Sequence, residues 1–239
     1  MKTLIFVLGM FLALNIYAQE TMDAKEIIEM INRGEAVNLN GVKIVGELDL
    51  TDLENRIQER GNKDSYFSQV DVELIFFNCD FTDDVLAFYC EEYSDKCFRA
   101  NFKESVTFID CTFSGETSFK YSNFSGGAVF NKNIFTQEAN FKYSKFQGEV
   151  TFQGCSFRDE ANFKYADFSG YVNFYEVDFM KEADFKYTKF SNGAMFSDAH
   201  FHEEVDFKYT EYEEDVVFEG AQFDGEVDQK YSNILRNLR

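Results

Sequence analysis

Hydrophobic positions in this chain follow neither the helical period nor the strand period. From residue 102 onward a large aromatic recurs in steps that alternate between six and five: Phe102, Phe108, Phe113, Phe119, Phe124, and so on without a break to Phe223. The 23 sites of this series hold 22 Phe and one Tyr, Tyr212. An amphipathic helix repeats near 3.6 residues and a strand at 2, so ordinary amphipathicity does not produce such steps. Two residues before each aromatic stands a small or β-branched side chain, as at Ala100, Val106, Cys111, Thr117, Ser122 and Ala139, with Asn133 the polar intruder. Positions i and i−2 share one face of an extended chain. Each unit therefore reads as a very short strand with one large and one small inward side chain. A longer period lies on top: Phe-Lys-Tyr begins at Phe119, Phe141, Phe163, Phe185 and Phe207, always 22 apart, and Gln229-Lys230-Tyr231 ends the series. Four units thus make one coil, and equivalent residues stack on the coil above, with those five Phe as one core column. At ~4.8 Å between stacked strands, nearly six coils give a rod of roughly 28 Å.

The units Ala139-Asn140-Phe141-Lys142-Tyr143, Ala161-Asn162-Phe163-Lys164-Tyr165 and Ala183-Asp184-Phe185-Lys186-Tyr187 follow the form A-(D/N)-L-x-x with Phe in the central place. The chain resembles the pentapeptide-repeat proteins, in a Phe-centred variety with alternating five- and six-residue steps. The resemblance is strong over residues 98–231 and weak over residues 37–81. It implies an all-β fold, a right-handed quadrilateral parallel β-helix of 22-residue coils, and a homodimer formed through the C-terminal end. The sixth residue of alternate units departs from the family pattern and is expected to loosen every second corner. Some members are thought to imitate duplex DNA and engage topoisomerases.

Outside the regular coils, residues 1–18 read as a signal peptide. Lys2 is followed by an apolar run from Leu4 to Leu14 and by Asn15-Ile16-Tyr17-Ala18, with cleavage expected after Ala18. Eleven apolar residues are too few to span a bilayer, so no membrane insertion is expected and the location is periplasmic or secreted. Residues 19–36 are expected to form an N-terminal capping helix, because Ile27, Ile28, Met30 and Ile31 recur at helical spacing before Gly34. Residues 37–101 read as first, irregular coils carrying two insertions, at 52–70 and 83–97. Residues 102–228 are the regular coils, and residues 229–239 a C-terminal cap with a short helical tail suggested by Ile234, Leu235 and Leu238.

Chemistry is sparse. The chain has two His, no Trp and no Pro, and no constellation of nucleophile, base and metal ligands that an enzyme requires. His200 and His202 flank Phe201 and point outward together, which alone is a weak basis for a metal site. No cofactor is implied. The net charge of −20 disfavours nucleic acid and anionic lipid as direct partners. It is uneven: residues 102–197 carry −2 and residues 198–228 carry −11. Duplex DNA spreads its charge evenly, so this profile weakens the DNA-imitating role. The expected function is a non-catalytic exported scaffold, structural or binding a protein partner. The alternative is a cation- or ligand-binding module using Glu203, Glu204, Glu213, Glu214 and Asp215. Of five Cys, Cys79, Cys111 and Cys155 occupy inward slots, while Cys90 and Cys97 are the pair expected to form a disulfide across the second insertion.

Overall fold

The computed structural model describes residues 19–232 and residue 234. The signal-peptide segment and most of the expected helical tail lie outside the described residues. The rest is a right-handed quadrilateral parallel β-helix, one helix against four walls, two of nine strands and two of eight. Each coil passes through the first wall (the Phe102 column), the second (Phe108), the third (Phe113) and the fourth (Phe119). The 22-residue register is kept throughout the regular coils, with Phe102 beside Phe124, Phe108 beside Phe130, and Phe113 beside Phe135.

The core follows from the two inward columns. Phe rings of one wall stack at centroid distances of 4.6 to 5.6 Å, and rings of the opposite second and fourth walls meet edge to face across the core, as Phe163 meets Phe152 and Phe174 at 5.3 Å each. Both arrangements suit the ring quadrupole. The small residues two places earlier leave room for these rings. Several polar ones are satisfied by the backbone: the hydroxyls of Ser144, Thr188 and Thr210 donate to the carbonyls of Phe119, Phe163 and Phe185, whereas the buried hydroxyls of Thr117 and Ser122 have no hydrogen-bond partner among the described residues. Asn133, fully buried, wedges into the turn of the coil below. Its Oδ1 accepts from the Cys111 N–H at 2.9 Å and its Nδ2 donates to the Phe108 carbonyl at 3.0 Å.

Two corners of each coil are five-residue turns that need a left-handed residue. Between the fourth and first walls that residue is Tyr121, Tyr143, Tyr165, Tyr187, Tyr209 and Tyr231, at φ of 57–62°. An L side chain there costs about 1–2 kcal/mol. The preceding Asn or Asp supports the turn: the N–H groups of Lys142, Lys186 and Lys208 donate to Asn140, Asp184 and Asp206. The expectation that the six-residue corners are loose is not met. A Cβ on Gly170 would lie 2.4 Å from the Gly148 carbonyl oxygen, so successive corners are in direct backbone contact.

The N-terminal part departs from expectation at three points. Glu20–Asp23 is a strand that pairs with Val42–Val45 and extends the third wall. Helix α1 (Ala24–Asn32) follows, held by a capping box between Asp23 and Glu26. It covers the open end of the core with Ala24, Ile27 and Ile31. The first insertion is shorter than 52–70, because Ser65–Val70 is a strand of the first wall with Ser68 and Val70 facing the core. The second is shorter than 83–97: Val85–Leu86 stacks between Leu48–Asp49 and Thr117–Ser118 in the fourth wall. At both places an aliphatic side chain, Val70 or Ala87, fills the slot that Phe fills elsewhere, so the period of Phe misplaces the boundaries.

Candidate interaction surfaces and a histidine–aspartate cluster

The left-handed corner tyrosines form an exposed ladder. Their rings stack at 4.7 Å from Tyr121 to Tyr209 and at 4.8 Å onto Tyr231. Beside it runs the column of Lys120, Lys142, Lys164, Lys186, Lys208 and Lys230. Like charges at strand spacing repel, and two features offset this. Lys142 and Lys186 lie 5.5 Å from the ring centroids of Tyr143 and Tyr187. Lys208 bridges Asp206 and Asp228 at 3.0 and 3.1 Å, which holds its ammonium group above the usual lysine range. Burial, and then the stacked carboxylates of neighbouring coils, push Glu160 and Glu182 up.

The two shortened insertions are hairpins on the same wall. Ile57–Gln58 pairs antiparallel with Ser65–Val70, and Phe88–Cys90 pairs antiparallel with Cys97–Phe102. Because Ser65–Val70 and Cys97–Phe102 pair with each other in parallel, the hairpins merge into one four-stranded extension. Cys90 and Cys97 stand opposite one another there and are joined by a disulfide. One face carries Tyr66, Phe98 and Tyr89 in a continuous stack, with Arg56 over Phe98 at 5.0 Å. Beside this stack lies an open cleft of about 560 Å³ lined by Tyr66, Phe98, Glu59, Phe88, Arg99 and Tyr121 among others. Phe88 lies 5.2 Å from Tyr121, so the cleft opens onto the head of the tyrosine ladder. A second cavity, about 480 Å³, lies on the outer face of the second wall and is lined by Asn131, Gln153 and Tyr171 among others.

Arg99 grips Glu59 with both guanidinium nitrogens, at 2.9 and 2.8 Å. These bonds, with the Ser65 hydroxyl, hold the Glu59 carboxyl down to about 2. A depressed carboxylate adds stability that is complete above its unfolded value, near 4.3, and fades as pH falls toward 2. The expected result of Arg99→Ala is a Glu59 carboxyl that titrates near 4.3 by NMR, with faster amide exchange at Ile57 and Gln58.

The acidic residues expected to hold a cation are not gathered. Glu203 and Glu204 lie at the corner between the third and fourth walls, Glu213, Glu214 and Asp215 at the diagonally opposite one, with the Phe core between them. Glu203 is paired with Lys181 at 2.6 Å and Glu213 with Lys189 at 2.9 Å. The reason is the register: residues ten apart are almost half a coil apart. Cys79, Cys111 and Cys155 are free and buried, and burial pushes the Cys155 thiol up to about 12.

The histidines acquire neighbours that the linear sequence hides. Asp178 is beside His200 in the ladder, and Asp224 follows two residues after Gln222, the next partner of His200. The contacts are diagonal: His202 Nε2 lies 2.6 Å from Asp178 Oδ1, and His200 Nε2 lies 2.7 Å from Asp224 Oδ2. The two imidazole centroids are 3.7 Å apart. Contacts 24 residues apart, one coil plus two, are the signal that would have found this group.

A search of the curated proteins finds no match. A solved structure of QnrB1, a plasmid-mediated fluoroquinolone resistance protein, is 19% identical over 79% of this chain and 90% of that one, with a TM-score of 0.20. The model of the family described as pentapeptide repeats (9 copies) matches residues 98–145, 141–189 and 185–228. These matches span more than half of the chain and coincide with the coils in which all four walls hold their register. The chain belongs to the pentapeptide-repeat family.

Proposed function

We propose that this protein is a non-catalytic, exported rod that works by binding another protein, and that its docking surface is the four-stranded extension with the head of the tyrosine ladder. The observation that carries this reading is the merging of both excursions from the repeat into one surface. The two excursions leave the same wall on successive coils, so their added strands, Ile57–Gln58 and Phe88–Cys90, flank one sheet and residues of both line a common cleft. The side chains there are Phe88, Tyr121, Tyr66, Phe98 and Arg99, types enriched at the energetic centres of protein interfaces. Residues 1–18 support export, and the near-neutral middle of the rod speaks against imitation of DNA. Among the described residues no helix is long and apolar enough to cross a membrane.

The test uses the full chain as bait in envelope and culture-medium extracts of its source cells, beside Phe88→Ala and Arg99→Ala variants. The expected result is a protein retained by the native chain and lost from both variants. Identical retention by all three baits, or turnover of a substrate with no partner retained, overturns the proposal. Cell fractionation tests export separately: protein confined to the cytoplasm removes that part alone.

A further inference from the structure

We propose that Asp178, His200 and His202 form a binding site for a divalent transition metal of the zinc class, with Asp224 as the carboxylate that orients the histidines. The argument begins with the wall itself. On the third wall, outward side chains of one strand lie two residues apart, and those of successive coils lie 22 apart. The column through His200 reads Asp80, Thr112, Ile134, Ser156, Asp178, His200 and Gln222. The parallel column two residues on reads Thr82, Ser114, Thr136, Arg158, Met180, His202 and Asp224. Nothing in the repeat requires histidine in either column. Yet the only two histidines of the chain stand side by side in one coil, with an aspartate in the coil below and another in the coil above.

Geometry turns this neighbourhood into a ligand set. One ligand atom each from Asp178, His200 and His202 lie within 4.8 Å of one another. Zinc ligands at ~2.1 Å in tetrahedral array are about 3.4 Å apart. The His202 Nε2–Asp178 Oδ1 distance is 2.6 Å and no pair of the three atoms exceeds 4.8 Å, values that bracket that spacing. Two imidazoles with one carboxylate suit zinc and its neighbours in the first transition row better than calcium or magnesium, which take oxygen ligands. Asp224 fits the outer role: a metal-bound histidine commonly hands its other ring nitrogen to a carboxylate. Its Oδ2 lies 2.7 Å from His200 Nε2 and 3.7 Å from His202 Nδ1. The surroundings favour a cation, because residues 198–228 carry −11. Three protein ligands leave a coordination position open to solvent on the outer face of the rod.

The test is titration of the untagged, chelator-treated full chain with Zn²⁺ by calorimetry and with Co²⁺ by visible absorption. Expected are one equivalent of saturable binding, cobalt d–d bands, and a melting temperature raised by zinc. His200→Ala, His202→Ala and Asp178→Asn each abolish the bands and the thermal shift. Asp224→Asn weakens zinc by about 10- to 100-fold, and Glu203→Gln leaves it unchanged. The substituted side chains stand outside the core, and a native circular dichroism spectrum verifies that each variant is folded. Absence of saturable binding in the native chain overturns the proposal, as does undiminished binding in the His200→Ala/His202→Ala double variant.

Discussion

Phe163→Ala lowers the free energy of unfolding by about 3–5 kcal/mol, and urea denaturation of the purified chain measures the loss. The magnitude is that of a buried Phe replaced by Ala, transfer and cavity terms together. The upper end is expected at this position. Phe163 is fully buried and stacks on Phe141 at 5.1 Å and on Phe185 at 5.0 Å. It also meets Phe152, Phe157 and Phe174 edge to face. All these neighbours are rings held by hydrogen-bonded strands, so the void does not collapse. A solenoid coil contacts only its neighbours, so loss at one level uncouples the coils on either side. Phe163→Leu, which restores the common family residue, costs less. A shift in denaturation midpoint below that expected for 1 kcal/mol in the alanine variant would show that the ring column carries little of the stability.

Asn133→Asp is expected to cost about 3–5 kcal/mol at pH 7, the range for an uncompensated buried charge. The Asn133 amide uses its oxygen and nitrogen for opposite purposes, accepting from Cys111 and donating to Phe108. A carboxylate keeps the first bond and sets a second oxygen against the Phe108 carbonyl. Burial raises such a carboxyl above its unfolded value near 3.9. Its penalty is therefore complete above the raised native value and shrinks as pH falls toward 3.9, where the native state takes up the proton first. The gap in urea midpoint between variant and native chain should narrow between pH 7 and pH 4. Asn133→Ala should be milder, because the Cys111 N–H and Phe108 carbonyl can close their own turn, as Cys155 and Phe152 do at 3.0 Å. An aspartate variant as stable as the alanine variant at pH 7 defeats this account.

The four-sided coil was legible because two inward columns and one 22-residue period all agree from Phe102 to Phe223. What depended on side chains other than Phe was less so. Ser65–Val70 and Val85–Leu86 belong to the walls, but their inward residues are Ser68, Val70 and Val85, and a search keyed to aromatics passes them over. Glu20–Asp23 carries almost no inward apolar residue, because it pairs through its backbone at the edge of the third wall. The merged hairpins depend on strands more than thirty residues apart, a relation that the linear pattern does not display. The acidic cation site failed for the opposite reason. Glu203 and Glu213 are near in sequence, and a square coil sends near residues to opposite corners.

The tyrosine ladder has an optical consequence. With no Trp in the chain, ultraviolet emission comes from its 13 Tyr, and six of them stand in one exposed column at a spacing of 4.7–4.8 Å. Phenol rings this close pass excitation from neighbour to neighbour, so the emission of the column is expected to change with the number of stacked coils. A coil that melts at either end shortens the array, and a molecule settling on Tyr121 perturbs it from the head. The protein thus carries its own unlabelled gauge of how many coils are closed and whether the cleft is filled.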